Sequence, residues 1–191
     1  CSYCIVPYAR GRSRSVPFRD VLEGIGTFAG QGFREVVLTG IHLGAYGADL
    51  EPPASLLDLL AAADAEALVP RLRGGSVEPH EISDGLIALM ARSPVICPHL
   101  HIPLQSGSDS VLERMSRRYT AAFFRERVER LAAAVPDICI GCDVIAGFPG
   151  ETDEEFAATL ALLEGLPIAH LHVFPFSRRE GTPAARMPGQ V

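Results

Sequence analysis

Ile138-Cys139-Ile140-Gly141-Cys142-Asp143-Val144-Ile145-Ala146, then Gly147-Phe148-Pro149-Gly150, then Glu151-Thr152-Asp153-Glu154-Glu155, reads as a strand, a turn and a helix start in succession. The first segment is β-branched and apolar over Ile138 to Ala146. The Gly-Phe-Pro-Gly tetrad stops it, because glycine and proline punctuate regular structure. Thr152 at the N-cap with Glu155 at N3 is a capping-box signature. The helix it opens runs to about Gly165, and a further strand is expected from Ala169 to Phe174.

Working outward, the same alternation covers the chain. Pro17 to Gly30 places Phe18, Val21, Leu22, Ile25 and Phe28 at helical spacing, and Arg34 to Thr39 follows as a short β-rich run cut off by Gly40. Ser55 caps a Leu/Ala-rich helix to about Leu68. Arg71 to Val77 is a strand, Glu81 to Arg92 a helix, and His99 to Leu104 a strand. Helices are expected over Ser110 to Met115 and from Thr120 to about Val135, whereas Cys1 to Ser15 reads as a loop. Strands alternating with helices mean βαβ units and a parallel sheet. The strands carry few internal charges, as expected when both faces are covered.

Composition bounds the function. The 191 residues are 48% hydrophobic and 21% charged, enough to bury a sizeable core and too apolar for a disordered chain. A net charge of −6 argues against a general nucleic-acid wrapper, though not against a local basic patch. No apolar run approaches the ~18–20 residues of a membrane helix. There is no secretory signal, so the chain reads as cytoplasmic. It opens on Cys1 rather than Met, and is read as a segment of something longer.

Polar residues fall just after the strands: Thr39-Gly40, Ser76 with Glu78, Gln105-Ser106, and Gly147. In a parallel sheet these positions share the carboxyl-end face, where ligands bind. Cys1-Ser2-Tyr3-Cys4 is a C-x-x-C in a polar loop, compatible with a zinc half-site, a redox pair or two ligands of an iron–sulfur cluster. Cys139 and Cys142 form a second C-x-x-C, but residues three apart in a strand point to opposite faces and cannot share one metal. They and Cys97 read as small buried hydrophobes. His99 and His101 share a strand face at metal-like spacing and read instead as hydrogen-bonded barrel histidines. Arg10, Arg12, Arg14 and Arg19 form a basic stretch in an acidic chain. They are either a solvated face or guanidinium groups placed for phosphate or a cofactor carboxylate. Arg178-Arg179 is a lesser candidate.

Cys1-Ser2-Tyr3-Cys4-Ile5-Val6-Pro7-Tyr8-Ala9-Arg10-Gly11-Arg12-Ser13-Arg14-Ser15 resembles the cluster loop of the radical S-adenosylmethionine methylthiotransferases. The resemblance continues through Val37-Leu38-Thr39-Gly40-Ile41-His42-Leu43-Gly44 and Ser76-Val77-Glu78-Pro79. It extends over Pro98 to Asp109 and Asp143 to Thr152, and ends at His172-Val173-Phe174-Pro175-Phe176-Ser177. The Leu38 to Gly44 and His172 to Ser177 blocks are most like the branch acting on N6-threonylcarbamoyladenosine in tRNA.

The resemblance implies an α/β fold, a partial parallel (β/α)6 barrel of the radical SAM type with its first strand missing from the chain. Residues 1–191 would then be the core domain, without the family's N-terminal methylthiotransferase domain and C-terminal nucleic-acid-binding domain. It implies a [4Fe-4S] cluster with S-adenosyl-L-methionine, Cys1 and Cys4 as metal ligands, and a third cysteine four residues before Cys1. One iron left open would bind the methionine amino and carboxylate groups, and one electron would then cleave the sulfonium. Cofactor contacts are expected from Tyr3, Thr39, Gly40, Ser76, Glu78, Gln105 and Ser106. The competing readings are a packed loop aromatic for Tyr3 and a simple post-strand turn for Thr39-Gly40. Where relatives often carry two serines before the acidic residue, this chain reads Gly74-Gly75-Ser76.

The implied activity is methylthiolation at C2 of the hypermodified adenosine 37 in the tRNA anticodon loop, a transferase reaction. The implied partners are tRNA, held in part by Arg10, Arg12 and Arg14, and a reductant protein or small electron donor, with no membrane. A second [4Fe-4S] cluster is expected in the absent N-terminal domain. The alternatives are methylthiolation of isopentenyladenosine-tRNA or of ribosomal protein S12, or a non-catalytic fragment of such an enzyme.

Overall fold

The computed structural model describes residues 1–190. The chain runs α1 (Val6–Arg10), α2 (Phe18–Gly30), β1 (Glu35–Leu38), α3 (Leu56–Glu66), β2 (Arg71–Gly74), α4 (Asp84–Arg92) and β3 (His99–His101). It continues through α5 (Asp109–Arg114), α6 (Ala121–Ala134), β4 (Cys139–Ala146), α7 (Asp153–Glu164) and β5 (His170–Pro175). These elements divide into two compact units. One comprises Ser13–His101 with Leu131–Cys139. The other comprises Cys1–Arg12, Ile102–Arg130 and the chain from Ile140 onward.

In the Ser13–His101 unit, β1 and β2 pair in parallel, with Glu35 beside Arg71 and Leu38 beside Gly74. Leu72 in turn bridges Ile96 and Ser76 bridges His101, both in parallel. Parallel neighbours need crossover connections, and α3 and α4 supply them. Ser55 starts α3 because its hydroxyl accepts from the Asp58 N–H at 3.1 Å, while the Asp58 carboxylate accepts from the Ser55 N–H at 3.0 Å. Ser83 starts α4 in a similar way, accepting from the Leu86 N–H at 3.1 Å. The helices bury Leu59, Leu60, Ala63, Leu86 and Leu89 alongside Leu72 and Val77. Each large side chain so buried contributes about 1.5–3 kcal/mol. Leu72 is fully buried, so Leu72→Ala would cost about 2–5 kcal/mol.

In the Cys1-containing unit, β4 and β5 pair in parallel from Gly141 beside His170 to Ala146 beside Pro175. The extended segment at Gln105 lies on the other side of β4. Its N–H donates to the Asp143 carbonyl at 2.8 Å, and its carbonyl accepts from the Ile145 N–H at 2.9 Å. Thr152 and Glu155 form the expected capping box at the start of α7. The core gathers Val111, Met115, Phe148 and Ala184, with Tyr3, Ile145, Phe176 and Met187 packed against it. Phe148 meets the rings of Tyr3 and Phe176 edge to face at 6.1 and 5.3 Å, a favoured aromatic geometry.

Several boundaries differ from expectation, among them β2, which ends at Gly74 instead of Val77. The N-terminal loop contains α1, whose Pro7 sits in the first turn, where its missing N–H costs nothing and its φ is already helical. A 3-10 turn at Pro79–Glu81 precedes α4, which begins at Asp84. β3 ends at His101 instead of reaching Leu104, since Pro103 has no N–H to give a ladder. No helix among the described residues is long and apolar enough to cross a membrane.

Candidate functional site

The first C-x-x-C is a tight turn in which the Cys4 N–H donates to the Cys1 carbonyl at 3.4 Å. Ser2 fastens it. The Ser2 N–H donates to the Met115 carbonyl at 2.9 Å, its hydroxyl to the Arg114 carbonyl at 2.7 Å, and its carbonyl accepts from the Ala184 N–H at 2.9 Å. The last carbonyls of a helix lack intrahelical donors, so the end of α5 is a natural dock for this loop. With Ser2 buried and Tyr3 packed on Phe148, Cys1 is left exposed and Cys4 half-buried, both as free thiols. The turn thus presents two sulfurs from one anchored loop.

Gln105 and Ser106 lie in the same unit and behave differently. Gln105 holds φ at +70°, a left-handed conformation that a non-glycine residue adopts at a cost and that recurs at ligand sites. Its backbone is fully used on β4, and no hydrogen bond to its side-chain amide occurs among the described residues. Ser106 is completely buried. Its hydroxyl lies 3.3 Å from the Thr159 hydroxyl and accepts from the Ser108 N–H at 3.2 Å, so it braces the turn that carries Gln105.

The other expected contacts belong to the Ser13–His101 unit. Thr39 and Gly40 are exposed directly after β1, and Ser76 is exposed after β2. Glu78 is half-buried at the head of the Pro79–Glu81 turn, its N–H donating to the Glu81 carboxylate at 3.1 Å. Glu81 also meets His42 Nε2 at 2.6 Å, linking the segment after β1 to the turn after β2. Glu81 packs closely over Gly44, where a Cβ would displace its carboxylate.

Arg10, Arg12 and Arg14 are exposed, and no ion pair involves them among the described residues. Arg178 and Arg179 are also exposed. Cys142 is buried in β4, and burial pushes its thiol up to about 12. Burial likewise raises the Cys97 thiol. His99 is half-buried and His101 buried on β3.

Two residues escaped the sequence reading. Arg117 Nη1 donates to Cys1 Sγ at 3.0 Å, and Tyr119 holds that guanidinium through its hydroxyl at 2.9 Å. A separation of 116 positions leaves no local signal for such a contact.

Comparison with known proteins supplies the context. The family model of the Radical SAM superfamily matches residues 1–163. The threonylcarbamoyladenosine tRNA methylthiotransferase MtaB of Bacillus subtilis is 45% identical over 100% of this chain and 42% of its own length. The tRNA-2-methylthio-N(6)-dimethylallyladenosine synthase of Acetivibrio thermocellus is 40% identical over 100% of this chain and 40% of its own length. The chain therefore spans about two fifths of the length of these curated relatives. Among solved structures, the radical S-adenosylmethionine methyltransferase TsrM of Kitasatospora setae, with cobalamin and a [4Fe-4S] cluster bound, superposes with a TM-score of 0.77 at 20% identity. That match covers 97% of this chain and 36% of that one. The fold is thus a partial radical SAM barrel, the α/β class with parallel strands expected above.

Proposed function

Because the chain belongs to the radical SAM superfamily, we propose that it is the core of a tRNA methylthiotransferase acting at C2 of N6-threonylcarbamoyladenosine 37. The observation that carries this reading is its whole-length similarity to a threonylcarbamoyladenosine tRNA methylthiotransferase. The anchored pair of free thiols adds the chemistry.

Cys1 and Cys4 suit a [4Fe-4S] cluster with S-adenosyl-L-methionine. Thiolates are the ligands such clusters take, and these two are free, adjacent across one turn and held by Ser2. When bound, the cofactor pair supplies reductive cleavage of the sulfonium. Gln105 offers an amide to S-adenosylmethionine, with Ser106 bracing it. Tyr3 offers an aromatic edge, and Thr39, Gly40, Ser76 and Glu78 of the Ser13–His101 unit offer hydroxyl, backbone and carboxylate groups for cofactor contact. Arg10, Arg12 and Arg14 take tRNA phosphates. A second [4Fe-4S] cluster in an N-terminal domain, and a reductant protein or small electron donor, complete the system.

Nucleoside mass spectrometry of tRNA from a strain lacking the gene tests the substrate. The expected result is loss of the 2-methylthio form of threonylcarbamoyladenosine, restored by the wild-type gene. Loss of the 2-methylthio form of isopentenyladenosine instead would favour the second reading, which the similarity to the dimethylallyladenosine synthase supports.

A further inference from the structure

Arg117 follows Ser116, which holds φ at +57°, a left-handed conformation disfavoured for a residue with a Cβ. That turn brings the Arg117 guanidinium into a clamp. Nε donates to the Tyr119 hydroxyl at 2.9 Å, Nη2 donates to the Pro103 carbonyl at 3.4 Å, and the guanidinium carbon sits 5.0 Å from the Tyr119 ring centroid. Tyr119 is itself buried, and its hydroxyl proton is directed at the Pro103 and Leu104 carbonyls at 2.8 and 2.9 Å. The phenol oxygen thus accepts from Arg117 while its proton is spent elsewhere. Held in this way, Nη1 donates to Cys1 Sγ at 3.0 Å. The neighbouring Arg118, by contrast, is exposed.

We infer that Arg117 is a positioning residue for the iron–sulfur cluster, raising its reduction potential through the hydrogen bond to the Cys1 sulfur. This rests on the reading of Cys1 as a cluster ligand. Hydrogen bonds to ligand sulfurs and local net charge are two determinants of cluster potential. Reduction adds a negative charge, and a fixed cationic donor on a ligand sulfur favours the more negative state. A guanidinium cannot lose its proton in a protein, so the donor is permanent. Tyr119 and Pro103 limit the rotamer freedom that would otherwise weaken it.

The test uses the full-length protein, reconstituted anaerobically with iron and sulfide. Iron and sulfide are counted, and the EPR signal that responds to added S-adenosylmethionine is titrated against potential. In Arg117→Met the cluster content is retained. At the potential that half-reduces the wild type, the ratio of reduced to oxidised cluster falls about tenfold, equivalent to about 59 mV for one electron. Arg117→Lys keeps the charge and recovers part of the shift, Tyr119→Phe falls between, and Arg118→Met leaves the potential unchanged. Full cluster content with an unshifted potential in Arg117→Met overturns the inference. Should that variant lose its cluster, an unshifted potential in both Arg117→Lys and Tyr119→Phe overturns it equally. A wild-type protein with no S-adenosylmethionine-responsive signal overturns the assignment of Cys1 and Cys4, and the inference with it.

Discussion

The N–H of Ser2 donates to the carbonyl of Met115 at 2.9 Å, so the loop that presents Cys1 and Cys4 is built on the end of α5. The Ser2 hydroxyl adds a second bond, to the Arg114 carbonyl. Ser2→Ala removes only that second bond and leaves a half-buried carbonyl without it, a loss of about 1 kcal/mol. Thermal unfolding of the apoprotein should show a modest drop in midpoint. Reconstituted iron content should fall further than stability does, because the loop loosens before the fold does. Unchanged iron content would show that the backbone bonds alone hold the turn.

The two C-x-x-C pairs should separate cleanly. Thiolates, not thiols, react with alkylating agents. Cys142 is buried with its thiol pushed up to about 12, so it stays protonated at pH 8 and resists iodoacetamide in the folded apoprotein. Cys1 is exposed and should be alkylated within the same exposure. Peptide mapping by mass spectrometry distinguishes them. In the full-length protein, Cys1→Ala or Cys4→Ala should abolish formation of 5′-deoxyadenosine, while Cys139→Ala with Cys142→Ala should leave iron nearly intact. Loss of the S-adenosylmethionine-responsive cluster in that double variant would assign the strand cysteines a ligand role.

Glu155 gives the fold an acid limit. Its carboxyl is held down to about 2, chiefly by the Arg114 hydrogen bonds, against the cost of burial and with Ser110 and the Thr152 N–H contributing. The Arg114 fork reaches it at 2.7 and 3.1 Å. The unfolded carboxyl titrates near about 4.3. A depressed folded value stabilises above the unfolded value and is lost as pH falls through the folded one. Wild-type stability should therefore decline from about pH 4.3 toward pH 2. Glu155→Gln should be less stable at pH 7, by about 1–3 kcal/mol, with a flatter profile over that acid range. Parallel profiles from urea titrations at stepped pH would remove Glu155 from this role.

Gly107 is a steric requirement rather than a flexible joint. A Cβ there would lie 2.6 Å from the Thr159 Cα, on the backbone of α7. The Gly107 N–H also donates to the Thr159 hydroxyl at 2.9 Å. Gly107→Ala should push the turn off α7 and destabilise by about 1–3 kcal/mol. It should also raise the concentration of S-adenosylmethionine needed for half-maximal cleavage, through displaced Gln105. A destabilised variant with unchanged cofactor affinity would separate Gln105 from the cofactor.

How much of this was legible in the sequence follows from the range of the forces involved. The strands at Glu35–Leu38, Cys139–Ala146 and His170–Pro175, and the caps at Ser55 and Thr152, are local patterns and stood where the residues placed them. The C-x-x-C at Cys1 was visible because its spacing is itself local. In the sequence, Ser106 and Gln105 are alike in following a strand. Only packing against Thr159 reveals that one hydroxyl is spent inside the fold while the neighbouring amide is not. Arg117 was invisible for the same reason. Its sequence neighbourhood is an ordinary basic run, and its contact with Cys1 exists only once α5 and the first loop are docked.

The basic stretch beside the cluster loop yields the remaining prediction. Arg10, Arg12 and Arg14 are exposed, and no carboxylate pairs with them among the described residues, whereas Arg71, Arg73 and Arg114 are all in ion pairs. Such cations bind phosphate by releasing counterions, so removing one phosphate-binding arginine lowers the salt slope of log affinity by about 0.7–0.9. Arg12→Ala with Arg14→Ala in the full-length protein should therefore weaken tRNA binding most at low salt and converge on the wild type as salt rises. Formation of 5′-deoxyadenosine without tRNA should be unaffected. Fluorescence anisotropy over a range of potassium chloride concentrations reads the slope directly. Parallel salt plots for variant and wild type would return Arg12 and Arg14 to a solvated face. A matching loss of tRNA-independent cleavage would move them from the nucleic acid to the cofactor carboxylate.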